Sequence, residues 1–171
     1  MKIDLEALRP DGIKDSKESY IGRIASLVPN IPKEILIQWF YDHFDSVKQR
    51  YSWLNISTLN FKIEVWSKEA IFNNIKPWNG AAVESWTNQF MVNSEADTNS
   101  LILYMKNNKT WPVPPIILDN DINLIMPNGD EIARYELIEG HHRYAYFKGL
   151  YLLKNINVLK EHKLWMLKVK K

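Results

Sequence analysis

Five consecutive residues, Glu139-Gly140-His141-His142-Arg143, bring together the side-chain types that handle phosphate groups. A guanidinium binds two phosphate oxygens at once, and an imidazole donates a hydrogen bond or moves a proton. A carboxylate beside them can hold Mg²⁺ or act as a base. Gly140 allows the backbone to turn tightly and to approach a ligand closely. The pattern predicts an anion site, and the anion that we expect is a nucleotide.

The elements around this motif decide where its groups lie. The apolar run Tyr135-Glu136-Leu137-Ile138 is typical of a strand, and a short helix is predicted over residues 141–148, with Gly149 at its end. Backbone N–H groups at a helix start lack partners within the helix and carry partial positive charge, so they favour an anion. The motif is therefore expected at a strand-to-helix corner.

The hydrophobic pattern changes its period along the chain, which predicts an α+β fold. Apolar residues at helical spacing predict helices over residues 16–27 and 32–49, whereas residues 61–65 alternate as in a half-buried strand. Pro127-Asn128-Gly129-Asp130 favours a hairpin turn. The other predicted elements are helices at 68–75, 83–91 and 99–106, and strands at 116–118, 122–126, 131–138, 156–159 and 162–169.

Composition indicates a packed domain and excludes several chemistries. The chain has 171 residues, 46% of them hydrophobic and 12% aromatic, and it contains no cysteine. Disulfides, thiolate nucleophiles and cysteine-based zinc sites are therefore excluded. The first residues lack the apolar core of a signal peptide, and no run approaches the ~18 apolar residues of a membrane span. We expect a cytoplasmic protein that does not bind membranes.

Charge is nearly balanced, at +2, but residues 151–171 hold six lysines and one glutamate, a net charge of +5. The other residues therefore carry a net charge of −3. Such a basic end can contact nucleic acid or nucleotide phosphates. Alternatively, the lysines belong to a solvated edge strand and discourage pairing with another sheet.

The order of motifs in the last third of the chain resembles the ParB/sulfiredoxin superfamily. Pro114-Pro115-Ile116-Ile117-Leu118 comes first, then the hairpin, then the motif that begins at Glu139, and then a final pair of strands. The similarity covers residues 98–171 and, more loosely, 59–75. It implies a small mixed sheet with flanking helices over 59–171, preceded by a helical N-terminal extension over 1–58 that has no counterpart in the superfamily.

The resemblance also implies a ligand and roles for individual residues. Members of the superfamily include CTP-binding chromosome-partition proteins, ATP-using sulfiredoxins, a free-serine kinase and several nucleases. Gly140, His142 and Arg143 match the phosphate-binding positions of these proteins, and His141 joins them in the proposed anion site. Glu139 matches an acidic residue that holds Mg²⁺ or transfers a proton. Sulfiredoxins place their catalytic cysteine where His141 stands, so sulfiredoxin chemistry is excluded here.

These matches give Glu139 and His142 as candidate catalytic residues, Glu139 as a candidate Mg²⁺ ligand, and ATP or CTP as the candidate ligand. An alternative is that His142 and Arg143 pin the strand–helix junction without a ligand, while Glu139 faces solvent. Adjacent histidines can also be metal ligands, with His43 or His162 nearby, although no metal-ligand spacing is present.

A phosphate site alone binds weakly, so a nucleotide needs a base or ribose pocket as well. The residues expected to line that pocket also fit ordinary core or loop packing; they are Ser100, Tyr104, Trp111, Pro114 and Pro115.

Three functions fit these observations. The first is a Mg²⁺-dependent enzyme that transfers or hydrolyses a phosphoryl group of a nucleotide. The second is a non-catalytic, nucleotide-gated module that docks a protein partner through its aromatic N-terminal half. The third is a nuclease or nucleic-acid binder that uses the basic end, which the mild net charge disfavours.

Overall fold

The computed structural model describes residues 3–12, 15–93, 99–153 and 157–170. Its strands are β1 (Leu59–Ser67), β2 (Lys76–Pro77), β3 (Ile116–Asp119), β4 (Tyr135–Glu139) and β5 (Glu161–Val169). They form one five-stranded sheet in the order β1-β5-β3-β4-β2, in which β4 pairs in parallel with β2 and antiparallel with β3. The sheet is therefore mixed, and the expected α+β class is confirmed.

Serine caps begin two of the helices. Ser16 Oγ accepts a hydrogen bond from the Ser19 N–H at 3.2 Å, and Ser67 Oγ accepts one from the Ala70 N–H at 3.1 Å. The α-helices are α1 (Lys17–Ile24), α2 (Lys33–Ile35), α3 (Asp42–Tyr51), α4 (Lys68–Asn74), α5 (Gly80–Asn93), α6 (Ser100–Asn108) and α7 (His141–Leu152). A π-helical segment, Leu36–Tyr41, joins α2 to α3, and 3₁₀ turns cover Leu5–Leu8 and Ile56–Thr58.

The chain divides into two compact units. The first comprises Met1–Phe61, Leu124–Glu131 and Leu167–Lys171, and the second comprises Lys62–Asn123 and Ile132–Met166. The boundary that we expected, between residues 58 and 59, stays a prediction.

Aromatic packing forms the centre of the first unit. Trp39, Phe40 and Phe44, which recur at helical spacing in the sequence, are all buried. Tyr20 is also buried, and its hydroxyl donates a hydrogen bond to the Leu8 carbonyl at 2.8 Å. The aromatic stripe of the N-terminal half is therefore core, because a helix buries the face on which its apolar residues recur.

In the second unit, α5 packs against α7. Thr87 on α5 donates its hydroxyl to the Ala145 carbonyl at 3.1 Å, and the Lys148 ammonium lies 2.7 Å from a Glu84 carboxylate oxygen. The core between the sheet and these helices includes Ile71, Val83, Phe90, Met105, Trp111, Leu137, Phe147 and Leu164.

The hairpin prediction is correct in its turn and in part of its second strand, since β4 covers Tyr135–Glu139, but it is wrong in its first strand, 122–126. The Met126 N–H bonds to the Asp130 carbonyl at 2.9 Å, yet only an isolated bridge, Ile125 with Glu131, joins the two flanks. Ile125 is 59% exposed and Ile122, Leu124 and Met126 are only half-buried, so no fully buried face holds this segment as a strand in register.

Two further predictions fail near the end of the chain. Gly149 lies inside α7 instead of ending it, and a Cβ at this position would overlap the Phe90 ring of α5. Of the strand predicted at 156–159, residue 156 is outside the described part, and residues 157–159 are not a strand.

Among the described helices, none combines the length and the apolar character needed to cross a membrane.

Candidate functional site

The predicted corner forms where β4 ends and α7 begins. Gly140 has φ 94°, a left-handed conformation that glycine adopts without strain, and its carbonyl accepts the first helical bond from the Tyr144 N–H at 2.9 Å. A Cβ at this position would lie 2.7 Å from the Pro115 Cβ. Glycine is therefore required here for two reasons, the backbone angle and the closeness of the Pro-Pro segment.

A β-bulge in the β3–β4 pairing sits next to the corner. Ile116 pairs with Glu139 but Ile117 pairs with Leu137, which leaves Ile138 as the extra residue. Bulges of this kind redirect the side chains beside them. The bulge thus contributes to how the Glu139 side chain is aimed at the start of α7.

The Arg143 guanidinium is engaged by groups of the protein itself. Its Nη2 donates to the Glu139 carboxylate, and its Nη1 donates to the Val113 carbonyl at 2.7 Å. The side chains of Arg143 and Glu139 are only 11% and 9% exposed. These contacts are those of the alternative interpretation, in which Arg143 pins the junction. The sequence suggested two open donors for a phosphate, but both Nη atoms of Arg143 have protein partners.

The alternative that Glu139 faces solvent is wrong. The whole residue is 8% exposed, and its carboxylate lies against the guanidinium one helical turn further along the chain. An ion pair this well shielded from water is screened much less than a surface pair.

The two histidines of the motif contact different aromatic rings. The His141 ring meets Trp78 edge-on, with centroids 5.4 Å apart, and the His142 ring lies tilted against Trp86 at 4.0 Å. His142 is exposed, His141 is half-buried, and Trp78 is 45% exposed. The two histidine side chains point in different directions because neighbouring residues on a helix are about 100° apart around its axis.

Trp78 and Trp86 are the residues near the motif that sequence reasoning missed. The sequence predicted a helix over 83–91 that contains Trp86, but neither tryptophan was expected at the anion site. Their approach to the histidines depends on the packing of α5 and of the segment before it on α7. No local signal in the sequence reports that packing.

The predicted pocket residues are dispersed. Trp111 belongs to the core, since it is 4% exposed, lies against Phe147 and donates its indole N–H to the Lys163 carbonyl at 2.8 Å. Ser100 and Tyr104 are exposed residues of α6. Pro114 is half-buried, and Pro115 is buried directly behind Gly140. Of the five residues, the structure brings Pro115 into contact with the motif and assigns Trp111 to packing.

The fourth histidine, His162, is a core residue. Its Nε2 donates to the Leu159 carbonyl at 3.0 Å, so its Nδ1 accepts the Thr110 hydroxyl at 2.8 Å. Burial lowers the pKa of His162 below its usual value of 6.5, and the nearby Lys68 charge lowers it further against the raising effect of the Leu159 bond. A neutral imidazole fits both partners.

Within the described ranges, no group of three or more His, Asp and Glu residues is arranged to hold a metal ion. Tyr144, the aromatic residue that follows Arg143, directs its hydroxyl into the core. Its hydroxyl donates to the Ile75 carbonyl at 3.0 Å, and burial raises the pKa of Tyr144 above its usual value of 10.0.

The corner thus holds a negative charge, which is the carboxylate of Glu139. Comparison of the chain with protein-family models, with curated proteins and with solved structures finds no match.

Proposed function

We propose that the protein binds the phosphate groups of a nucleotide at the corner formed by Gly140, His141, His142 and Arg143. The observation that carries the proposal is the strand-to-helix corner itself, in which Gly140 opens α7 with a φ of 94° and Arg143 lies in the first turn of that helix. Such a position suits an anion because the guanidinium and the helix terminus both carry positive charge. A phosphate would compete with Glu139 for the Arg143 donors.

The competition limits affinity. A helix terminus contributes about 0.3–1 kcal/mol to anion binding, and each charge-assisted hydrogen bond contributes roughly 1.5–3 kcal/mol. These gains correspond to about millimolar affinity before Glu139 is displaced. Micromolar binding of a nucleotide therefore needs contacts to its base or ribose in addition to this corner.

Displacement would also release a carboxylate beside the bound phosphate. In the enzymatic form of the proposal, Glu139 then holds Mg²⁺ or takes a proton from an attacking hydroxyl, and the exposed His142 is the second candidate for proton transfer. The reaction is phosphoryl transfer or hydrolysis with ATP or CTP and Mg²⁺.

A non-catalytic nucleotide-binding module is the second candidate. The observation that favours it is that Glu139 and Arg143 are partners in an almost buried pair, which makes Glu139 a structural carboxylate as well as a candidate base. In such a protein, the bound nucleotide would displace Glu139 from Arg143, and this change would control the binding of a protein partner without turnover.

Calorimetric titration of ATP, ADP, CTP and inorganic pyrophosphate, each with and without Mg²⁺, tests the proposal. We expect heat of binding from at least one nucleotide at millimolar concentration or below. The absence of heat with every ligand at that concentration would remove the proposal, for the enzyme and for the binding module alike.

Three variants connect the binding to the corner. Arg143→Ala should lose most of the affinity, and Lys148→Ala, which removes a cation from the same helix away from the corner, should keep it. Glu139→Gln should bind roughly fivefold more tightly, the equivalent of about 1 kcal/mol, because an uncharged amide competes less for the guanidinium. A thermal melt of each variant shows that it is folded.

Product analysis separates the two candidates. If ATP or CTP is consumed by the wild type, Glu139→Gln should lose turnover in spite of its tighter binding. If the nucleotide binds and no product forms with any acceptor tried, the binding module is the better description.

A further inference from the structure

β1 is at an edge of the sheet, with β5 on its other side. The end of β1 lies against the start of β5, where the Lys68 N–H bonds to the Lys160 carbonyl at 3.0 Å, so the two strands run antiparallel. Because backbone groups alternate in direction along a strand, those of even-numbered residues face β5. Those of Phe61, Ile63 and Val65 face the outer edge, where no described element hydrogen-bonds to them.

The side chains along this edge are self-complementary. If a second copy of β1 pairs antiparallel about Ile63, Phe61 lies opposite Val65 of the second copy, and Ile63 lies opposite its own equivalent. On the other face of the strand, Lys62 lies opposite Glu64 of the second copy, and the symmetric pair repeats this contact. Both faces then carry favourable cross-strand pairs, one apolar and one of opposite charge.

Neighbouring registers lack this match. A shift of the centre from Ile63 to Lys62 places Lys62 opposite Lys62, and a shift to Glu64 places Glu64 opposite Glu64. Like charges that lie directly opposite each other destabilise a sheet, so the charge pattern selects the register about Ile63. A lysine on an edge strand usually discourages pairing, but here Glu64 two residues later on the same face compensates it.

The exposure of these residues agrees with an edge that is open to a partner. Lys62 is exposed and Val65 is 54% exposed, whereas Ile63 and Glu64 are half-buried. Glu64 also accepts a hydrogen bond from the Trp66 indole at 3.0 Å, which holds its carboxylate on the face that Lys62 shares.

We infer that two copies of this chain associate through β1, in a two-fold antiparallel pairing centred on Ile63 that joins their sheets. Phe61, Ile63 and Val65 exchange backbone hydrogen bonds with Val65, Ile63 and Phe61 of the second copy. The interface does not involve the corner at Gly140, and it stands or falls independently of nucleotide binding.

Sedimentation equilibrium of the full chain, from about micromolar to about millimolar concentration, measures the association. We expect the mass to rise from that of one chain to that of two. Lys62→Glu places a carboxylate opposite Glu64 of the second copy and should weaken the dimer by about tenfold or more, since it replaces both favourable pairs with repulsive ones. The charge-swapped double variant Lys62→Glu/Glu64→Lys should recover affinity to within about threefold of the wild type.

Val65→Pro tests the backbone contact. Proline removes an N–H that faces the outer edge and leaves the bonds to β5 in place, so it should abolish the dimer without unfolding the chain. Val65→Thr keeps the shape and the N–H, and it should dimerise like the wild type.

Circular dichroism confirms that each variant is folded, and if Val65→Pro is not, the charge variants decide the matter. A single-chain mass at every concentration would overturn the inference. So would a dimer that Lys62→Glu does not weaken, or a weakening that the charge swap does not reverse, since the Lys62–Glu64 contacts would then not be what joins the two copies.

Discussion

Two arginine–glutamate pairs of this protein have almost the same spacing in sequence and very different surroundings. Arg143 and Glu139 are 11% and 9% exposed in their side chains, whereas Arg9 and Glu6 are 43% and 44% exposed. Arg9 and Glu6 also share their charges with neighbours in solvent, among them Lys48, whose ammonium lies 2.5 Å from Glu6. The two pairs have the same residue types, so we expect burial to decide how much each pair contributes to stability.

The physical reason is the environment of each charge. Water screens an exposed pair, and most such pairs contribute little to stability. A buried pair has lost its hydration, so the removal of one partner leaves a charge that neither water nor protein compensates. The corner pair is therefore difficult to break by mutation, and the same property makes it a demanding competitor for any ligand of Arg143.

Replacement of the two arginines should show the largest difference between the two regions. Arg143→Ala should lower the free energy of unfolding by about 3 kcal/mol, because it leaves the buried Glu139 carboxylate without a partner charge. Arg9→Ala should move the urea midpoint only slightly. Urea unfolding at pH 7 measures both changes.

A double variant provides the control for this prediction. Arg143→Met/Glu139→Leu removes both charges and fills similar volume, so it should be more stable than Arg143→Ala. Equal urea midpoints for Arg143→Ala and Arg9→Ala would show that the Glu139–Arg143 pair contributes no more to stability than the exposed pair does.

Glycine substitutions extend the comparison to the backbone. Gly140→Ala should cost about 2 kcal/mol, because φ of 94° disfavours a side chain and the new methyl group would crowd Pro115. Gly22 lies in α1 with open space around it, so Gly22→Ala should instead stabilise the protein by about 0.5–1 kcal/mol. Differential scanning calorimetry measures the unfolding temperature, which should fall for Gly140→Ala and rise for Gly22→Ala. An unchanged unfolding temperature in Gly140→Ala would show that the corner has room for a side chain.

The position of the corner could be predicted from the sequence, but its internal contacts could not. An apolar run followed by Gly140 is a local signal for a strand that ends and a helix that begins. That Arg143 contacts Glu139 and Val113 depends on the β-bulge at Ile138 and on the approach of the Pro-Pro segment, which are tertiary features.

The same distinction explains the other outcomes. Ser16 and Ser67 cap helices through neighbouring residues, so their roles were readable from the sequence. Residues 122–126 alternate like a strand, but strand formation needs a partner in register, and the fold gives them a single bridge. The local rule for helix ends predicted that the helix stops at Gly149, but this glycine lies within α7, where the Phe90 ring of α5 comes close to it.

His162 tests whether burial also controls an imidazole in the second unit. Because its folded-state pKa is lowered, the unfolded chain takes up a proton first as the pH falls below about 6.5, and stability decreases on acidification until the folded-state pKa is reached. The slope from one group is at most about 1.4 kcal/mol per pH unit.

Urea midpoints between pH 7.5 and 5 should therefore decline for the wild type more steeply than for His162→Gln. Gln can still donate to the Leu159 carbonyl, but it has no group that titrates in this range. Parallel pH profiles for the two proteins would show that His162 does not contribute to the acid sensitivity.

The smallest effect is expected at Glu6, in the exposed pair. Hydrogen bonds from Arg9 and then Lys48 lower the pKa of Glu6 from 4.5 to about 2. A lowered carboxyl pKa contributes stability above the unfolded value of 4.5, and this contribution disappears as the pH falls through about 2. Solvent screening makes it small, so Glu6→Gln should barely move the urea midpoint at pH 7, and 0.5 M salt should erase the difference that remains. A large, salt-resistant loss of stability in Glu6→Gln would mean that its charges are shielded from water, and exposure would then no longer separate the two pairs.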